Sequence, residues 1–139
     1  MKDIVDFNNF WNKKIELIDT IQPKFILNKT SFSKFENIEF YDLTFTSYDN
    51  SVIYAKYIKN INYRKLYPHK NIPLLFYFHG YPASNRNWLE KSTFATLGYD
   101  VVAIDFRNQG GKSKDSGKSE PSVFGHLTVG MDGNIEDMI

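Results

Sequence analysis

The chain has 139 residues, 42% hydrophobic and 17% aromatic, which is enough to bury the core of one ordinary domain and too apolar for a disordered segment. Seventeen basic and 16 acidic residues, spread along the chain, give a net charge of +1 and no electrostatic footprint for nucleic acid or an anionic membrane, so a small neutral or weakly polar ligand is expected. Without cysteine, disulfides and thiolate chemistry are excluded, and three scattered histidines suggest no metal site.

Residues 1–11 carry acids and no continuous apolar run, unlike a signal peptide, and no stretch is apolar enough to span a bilayer, so a cytoplasmic protein is the default. Phe7, Phe10, Trp11, Ile15 and Ile18 recur at helical spacing, with Asp6 as cap and Pro23 as stop, which predicts an amphipathic docking helix. Tyr41, Leu43 and Phe45 alternate with Asp42, Thr44 and Thr46. After Tyr48-Asp49-Asn50-Ser51 the run 52–58 is β-prone again, so an antiparallel pair is expected.

Residues 60–71 read as a polar connection. Pro73 then introduces 74–78, an unbroken apolar run that suits a parallel strand covered on both faces, as does 101–104. Between them 87–97 predicts a right-handed crossover helix with Trp88, Phe94 and Leu97 inward and Gly98 as its terminator. On this reading the sheet ends at 101–104 with an apolar edge. Residues 107–133 are rich in Gly, Ser and Lys and expected to be irregular, and 136–139 reads as the start of a helix. No internal repeat is present.

The strand, helix, strand unit from 74 to 110 has a reactive-looking loop after each strand. A strand that ends in His79-Gly80 and turns sharply is where serine hydrolases of the α/β type place an oxyanion-stabilising N–H. Four stretches, in order, resemble the acetyl xylan esterase and cephalosporin-C deacetylase family, the seventh family of carbohydrate esterases. Asp6-Phe7 to Trp11 resembles its opening helix and Tyr41 to Phe45 its first strand. Phe78-His79-Gly80-Tyr81 resembles its oxyanion loop, and Arg107-Asn108-Gln109-Gly110-Gly111 its Arg-Gly-Gln motif. Gly125-His126-Leu127-Thr128 with Gly130 resembles the segment that follows. Asn108 stands where the motif has glycine, a replacement that tolerates positive φ at little cost.

The resemblance implies the N-terminal portion of an α/β-hydrolase fold: an N-terminal helix, an antiparallel strand pair and a parallel βαβ unit in an incomplete sheet. Residues 1–35 would be a helical extension, and 36–139 the first strands with the two loops. It marks the Tyr81 backbone N–H as oxyanion donor, with Tyr81 and Pro82 beside substrate. Pro82 biases Tyr81 toward extended backbone, holding that N–H in one direction. The bland alternative is that His-Gly-Tyr-Pro is only a tight turn.

His79, Gly80, Asp105, Arg107, Gln109 and Gly110 read as structural members of the motif loops, with Asp105 bonding the loop around Arg107. Ser113 and Ser119 each follow Gly-Lys, yet neither has the closing glycine of a nucleophile elbow. A phosphate loop also fails, since Phe106 and Lys112 occupy the positions where its first glycine belongs. His126 lacks the following Glu of the family's catalytic histidine, and His69 reads as a surface residue. Trp88 and Phe94 read as core.

The nucleophile, acid and base would lie beyond Ile139. The expectation is therefore the front of a serine esterase acting on acetylated sugars or similar small esters, without metal or cofactor and inactive alone. A homo-oligomer or assembly with a C-terminal portion is expected for it, and the alternatives are a non-catalytic assembly partner of a full-length esterase subunit and a decayed gene product.

Overall fold

One mixed sheet of five strands organises the chain, in a computed structural model that describes residues 6–22, 24–32, 35–80, 83–85, 87–107, 109–114 and 116. Helix α1 (Phe7–Asp19) is followed by strands β1 (Phe25–Lys29), β2 (Ile38–Thr46) and β3 (Val52–Asn60) and the short helix α2 (Ile61–Leu66). Strand β4 (Leu74–Phe78), helix α3 (Trp88–Thr96) and strand β5 (Asp100–Asp105) complete it. The strand order is β1-β2-β3-β5-β4, antiparallel throughout except for the parallel β4–β5 pair. The mixed α/β fold with the βαβ unit is the one the sequence implies.

Local chemistry accounts for the boundaries. The Asp6 carboxylate accepts from the N–H groups of Asn8 and Asn9 and so starts α1. In the turn joining β2 to β3, Asn50 takes a φ of 67°, which Asn tolerates better than most residues. Asn60 caps α2 by accepting from the Tyr63 N–H at 2.8 Å, while its amide donates to the Ala95 carbonyl at the end of α3. Asp100, at the start of β5, accepts from the Asn60 N–H, the Tyr57 hydroxyl and both terminal nitrogens of Arg64. Burial pushes its carboxyl up, but these donors outweigh it and hold it below the usual range.

Helix α3 covers one sheet face. Ile38, Phe40, Ile58, Ala95 and Val101 form the core there, with Trp88, Phe94 and Leu75 packed against it. Trp88 and Phe94 thus pack on the core as expected, whereas Leu97, also expected to point inward, is the helix's C-cap and is 70% exposed. Lys56 lies buried on the same face with its ammonium 5.2 Å from the Tyr54 ring centre and 5.3 Å from that of Trp88, so burial lowers its pKa. On the opposite face Ile53, Ala55, Val102 and Ile104 form a second cluster with Leu43, Phe45 and Tyr57.

Several elements differ from expectation. Residues 25–29, inside the segment read as a helical extension, form β1, and 61–66, inside the segment read as a polar connection, form α2. Strand β1 is five residues long with every residue exposed, so it has no alternation to betray it. The sheet does not end at 101–104: β5 pairs with β3 and β4 on its two sides and is buried throughout. Among the described residues strand β4 is the edge at that side instead, with Leu74 and Phe76 about half exposed. An apolar run reports which faces are apolar, not whether another strand lies alongside. Helix α1 buries none of its residues, and Phe7 is 70% exposed. Among the described residues no helix is long and apolar enough to cross a membrane.

Candidate active site

Two loops meet where β4 and β5 run side by side and end. The first follows β4 through His79 and Gly80 to Asn85; the second follows β5 through Phe106 and Arg107 to Lys114. Both are held by groups buried at the end of β5.

His79 is the first staple. The Phe106 N–H donates to His79 Nε2 at 3.0 Å, so that nitrogen is the acceptor and Nδ1 carries the proton, which it gives to the Gly80 carbonyl at 3.0 Å. Both ring nitrogens are engaged, and the ring stands edge-on to Phe106 at 5.0 Å. This His fixes a loop; it has no free nitrogen with which to take a proton from a nucleophile.

Asp105 and Asn85 are the second. Asp105 Oδ1 accepts from the Asn85 N–H at 2.6 Å and Oδ2 from the Lys112 N–H at 3.1 Å, while the Asn85 amide donates to the Ile104 carbonyl. Asp105 is 2% exposed and Asn85 fully buried. One carboxylate therefore ties the far end of the first loop to the second. The Ala83 N–H closes the intervening turn on the Gly80 carbonyl at 2.9 Å. Tyr81 and Pro82, the expected oxyanion and substrate-contact residues, lie outside the described residues, as do Asn108, Ser119 and His126.

Arg107 is the third. Its guanidinium, 4% exposed, donates to Asp49 Oδ2 at 2.7 Å and to Ser51 Oγ at 3.1 Å, clamping the second loop to the β2–β3 turn. Burial raises the Asp49 carboxyl, but the Ser51 N–H and Arg107 outweigh it, so its pKa lies below the ordinary value. Gln109 is buried. Gly110 has a φ of 90°, a conformation side chains avoid, and a Cβ on Gly111 would sit 2.4 Å from the Asp105 carboxyl. Glycine is needed at both positions so that the loop can wrap over Asp105.

Ser113, the more prominent of the two Gly-Lys-Ser serines, is a buried bridge. Its Oγ accepts from the Tyr54 N–H at 2.8 Å and donates its proton to the Asp105 carbonyl, while Val52 and Lys114 pair through their backbones beside it. Ser113→Ala leaves both backbone groups unpaired and should lower stability by about 1–3 kcal/mol, read from the midpoint of urea unfolding. A loss under about 0.5 kcal/mol would mean that the bridge is replaced by other partners.

Nothing local in the sequence marks Asn85, Asp49, Ser51 and Ser113 as anchors. Asp49 and Ser51 carry a turn signature, but nothing local says which distant Arg they face. His69 is exposed, and among the described residues no group of three or more His, Asp or Glu could hold a metal ion.

The mixed sheet, with a stapled His-Gly turn after one parallel strand and an Arg-containing loop after the next, has the architecture expected of the N-terminal portion of an α/β-hydrolase fold. The family model for acetyl xylan esterase (AXE1) matches residues 2–139, and the chain belongs to that family. Acetyl xylan esterase 1 from Thermoanaerobacterium sp. JW/SL YS485 is 35% identical with a TM-score of 0.70, over 84% of this chain and 34% of that one. Acetyl xylan esterase from Paenibacillus sp. R4 shares the fold at 23% identity and a TM-score of 0.70, over 86% and 37%. The chain spans about a third of the length of these solved structures. A search of curated proteins finds no match.

Proposed function

We propose that this chain is the front of a cytoplasmic carbohydrate esterase that removes acetyl groups from sugars or related small esters, cephalosporin C included, through a serine acyl-enzyme without metal or cofactor. The observation that carries the reading is the family match over residues 2–139, joined to a turn stapled at His79, Gly80 and Asn85 where such enzymes need a rigid N–H donor. Tyr81 supplies that donor, with Pro82 beside the substrate. The serine elbow, the acid and the base come from polypeptide corresponding to the remaining length of the relatives. No Gly-x-Ser-x-Gly occurs in the sequence.

A second reading, an assembly partner for a fuller esterase subunit, is favoured by the edge that β4 forms among the described residues. Phe76 and Phe78 stack there at 6.4 Å, and Phe78 stacks on Phe106 at 5.9 Å, all on one sheet face with Phe76 53% exposed.

The purified chain should hydrolyse an activated acetate ester no faster than an unrelated protein at equal concentration, and a serine-directed phosphonate should leave its mass unchanged. Saturable turnover with stoichiometric labelling of one of its own serines would overturn the reading.

A further inference from the structure

At the end of the sheet away from these loops lies a cleft of about 190 Å³. Strand β3 separates the two places: Tyr54 pairs with Asp105 beside the loops, and Asn60 pairs with Ile38 at the cleft, six residue steps or roughly 20 Å away. The cleft belongs to neither loop.

Its construction is specific. Ile38 and Ala95, both nearly fully buried, give an apolar floor, and Phe35, half exposed with its ring 6.1 Å from that of Phe40, gives an aromatic wall. Asn37, Asn62 and Glu36 supply the polar rim with exposed side chains. The backbone beneath is fixed: the Asn37 carbonyl accepts from the N–H groups of Ile61 and Asn62, and Asn60 spans from α2 to the Ala95 carbonyl. Thr96, which also lines the cleft, donates its hydroxyl proton to the Thr93 carbonyl, so its oxygen is left able to accept.

The chemistry selects a ligand class. Among the described residues that line the cleft none is Lys or Arg and the one charged residue is an acid, a lining that favours a neutral ligand over phosphate, sulfate and other anions. Two carboxamides, a carboxylate and a hydroxyl oxygen offer donors and acceptors over an apolar floor beside an aromatic ring, which matches a neutral ring with hydroxyls on its rim and C–H groups on its faces. The volume is well below that of pockets for drug-sized ligands, about 300–1,000 Å³, and suits one such ring.

We propose that this cleft is an accessory saccharide site, holding a single sugar unit of an oligosaccharide away from the ester-cleaving loops. The inference rests on the carbohydrate esterase reading for its choice of ligand, but its test does not use hydrolysis. The isotope-labelled chain, titrated with unacetylated xylotriose, should show saturable amide shifts at residues 35–37, 60–62 and 95–96, with a Kd on the order of millimolar, equivalent to about 4 kcal/mol. Asn62→Ala and Asn37→Ala, both surface changes, should each weaken binding at least threefold while leaving the rest of the spectrum in place. Absence of saturable shifts at tens of millimolar sugar would overturn the proposal. So would shifts confined to residues 79–85 and 105–114, although these would leave the esterase reading standing.

Discussion

Arg107→Met should lower stability by about 3–5 kcal/mol at neutral pH, the usual penalty for removing one partner of a buried ion pair. The cost has a definite origin. Arg107 and Asp49 are 4% and 13% exposed, and removal of the guanidinium takes away the one cation paired with the largely buried Asp49 carboxylate, leaving it the hydrogen bonds from Ser51 and the Ser116 hydroxyl. The pH dependence follows from the sign of the shift. In the native protein Asp49 has a pKa below its ordinary value of 3.8, so its contribution is full above that value and is lost as pH falls through the lower folded value. In the variant the lowering by Arg107 is lost, so the stability that Asp49 contributes above its folded pKa is smaller. The difference between the two proteins should therefore shrink toward pH 3. Asp49→Asn in the Arg107→Met background should recover part of the loss by removing the unpaired charge. Urea unfolding at pH 7 and pH 3 measures all of this; a loss under 1 kcal/mol that does not change with pH would show that Arg107 anchors nothing.

How far the sequence revealed these features depended on range. The α1 helix, its Asp6 cap, the β2–β3 hairpin and the crossover helix were legible because each is written in local periodicity and turn residues. Strand β1 was not, since Phe25, Ile26 and Leu27 are apolar in succession and all exposed. The place of β5 between β3 and β4 was not either, because strand order is set by long-range pairing that no window of sequence contains. The candidate site divides the same way. His79, Gly80, Asp105 and Arg107 stood out through their motif positions, while Asn85 and Asp49 acquire meaning only from the distant groups they reach.

Tyr81→Pro should lower kcat by about 10²- to 10³-fold, with KM moving much less, when this chain is completed by the C-terminal portion of a close relative. An oxyanion donor acts through its backbone N–H, which proline lacks, and the bond strengthens only in the transition state. Tyr81→Phe keeps the N–H and should be near neutral. The staples on either side make the comparison interpretable: His79 holds Gly80 before the turn, and Asp105 holds Asn85 after it, so the loop ends stay anchored in either variant. Circular dichroism must show both folded. If Tyr81→Phe is equally damaging, the hydroxyl carries the role; if Tyr81→Pro is near neutral, the His-Gly-Tyr-Pro segment is only a turn.

Whether these residues are, as proposed, the oxyanion-bearing front of a serine esterase is tested most directly by co-expressing the chain with the complementary C-terminal portion of an acetyl xylan esterase. The two pieces should form a stable complex along the β4 edge, with acetyl ester hydrolysis that neither shows alone and that Tyr81→Pro abolishes. A folded complex that stays inactive, or activity that arises from the C-terminal piece alone and is unchanged by Tyr81→Pro, would contradict the proposal.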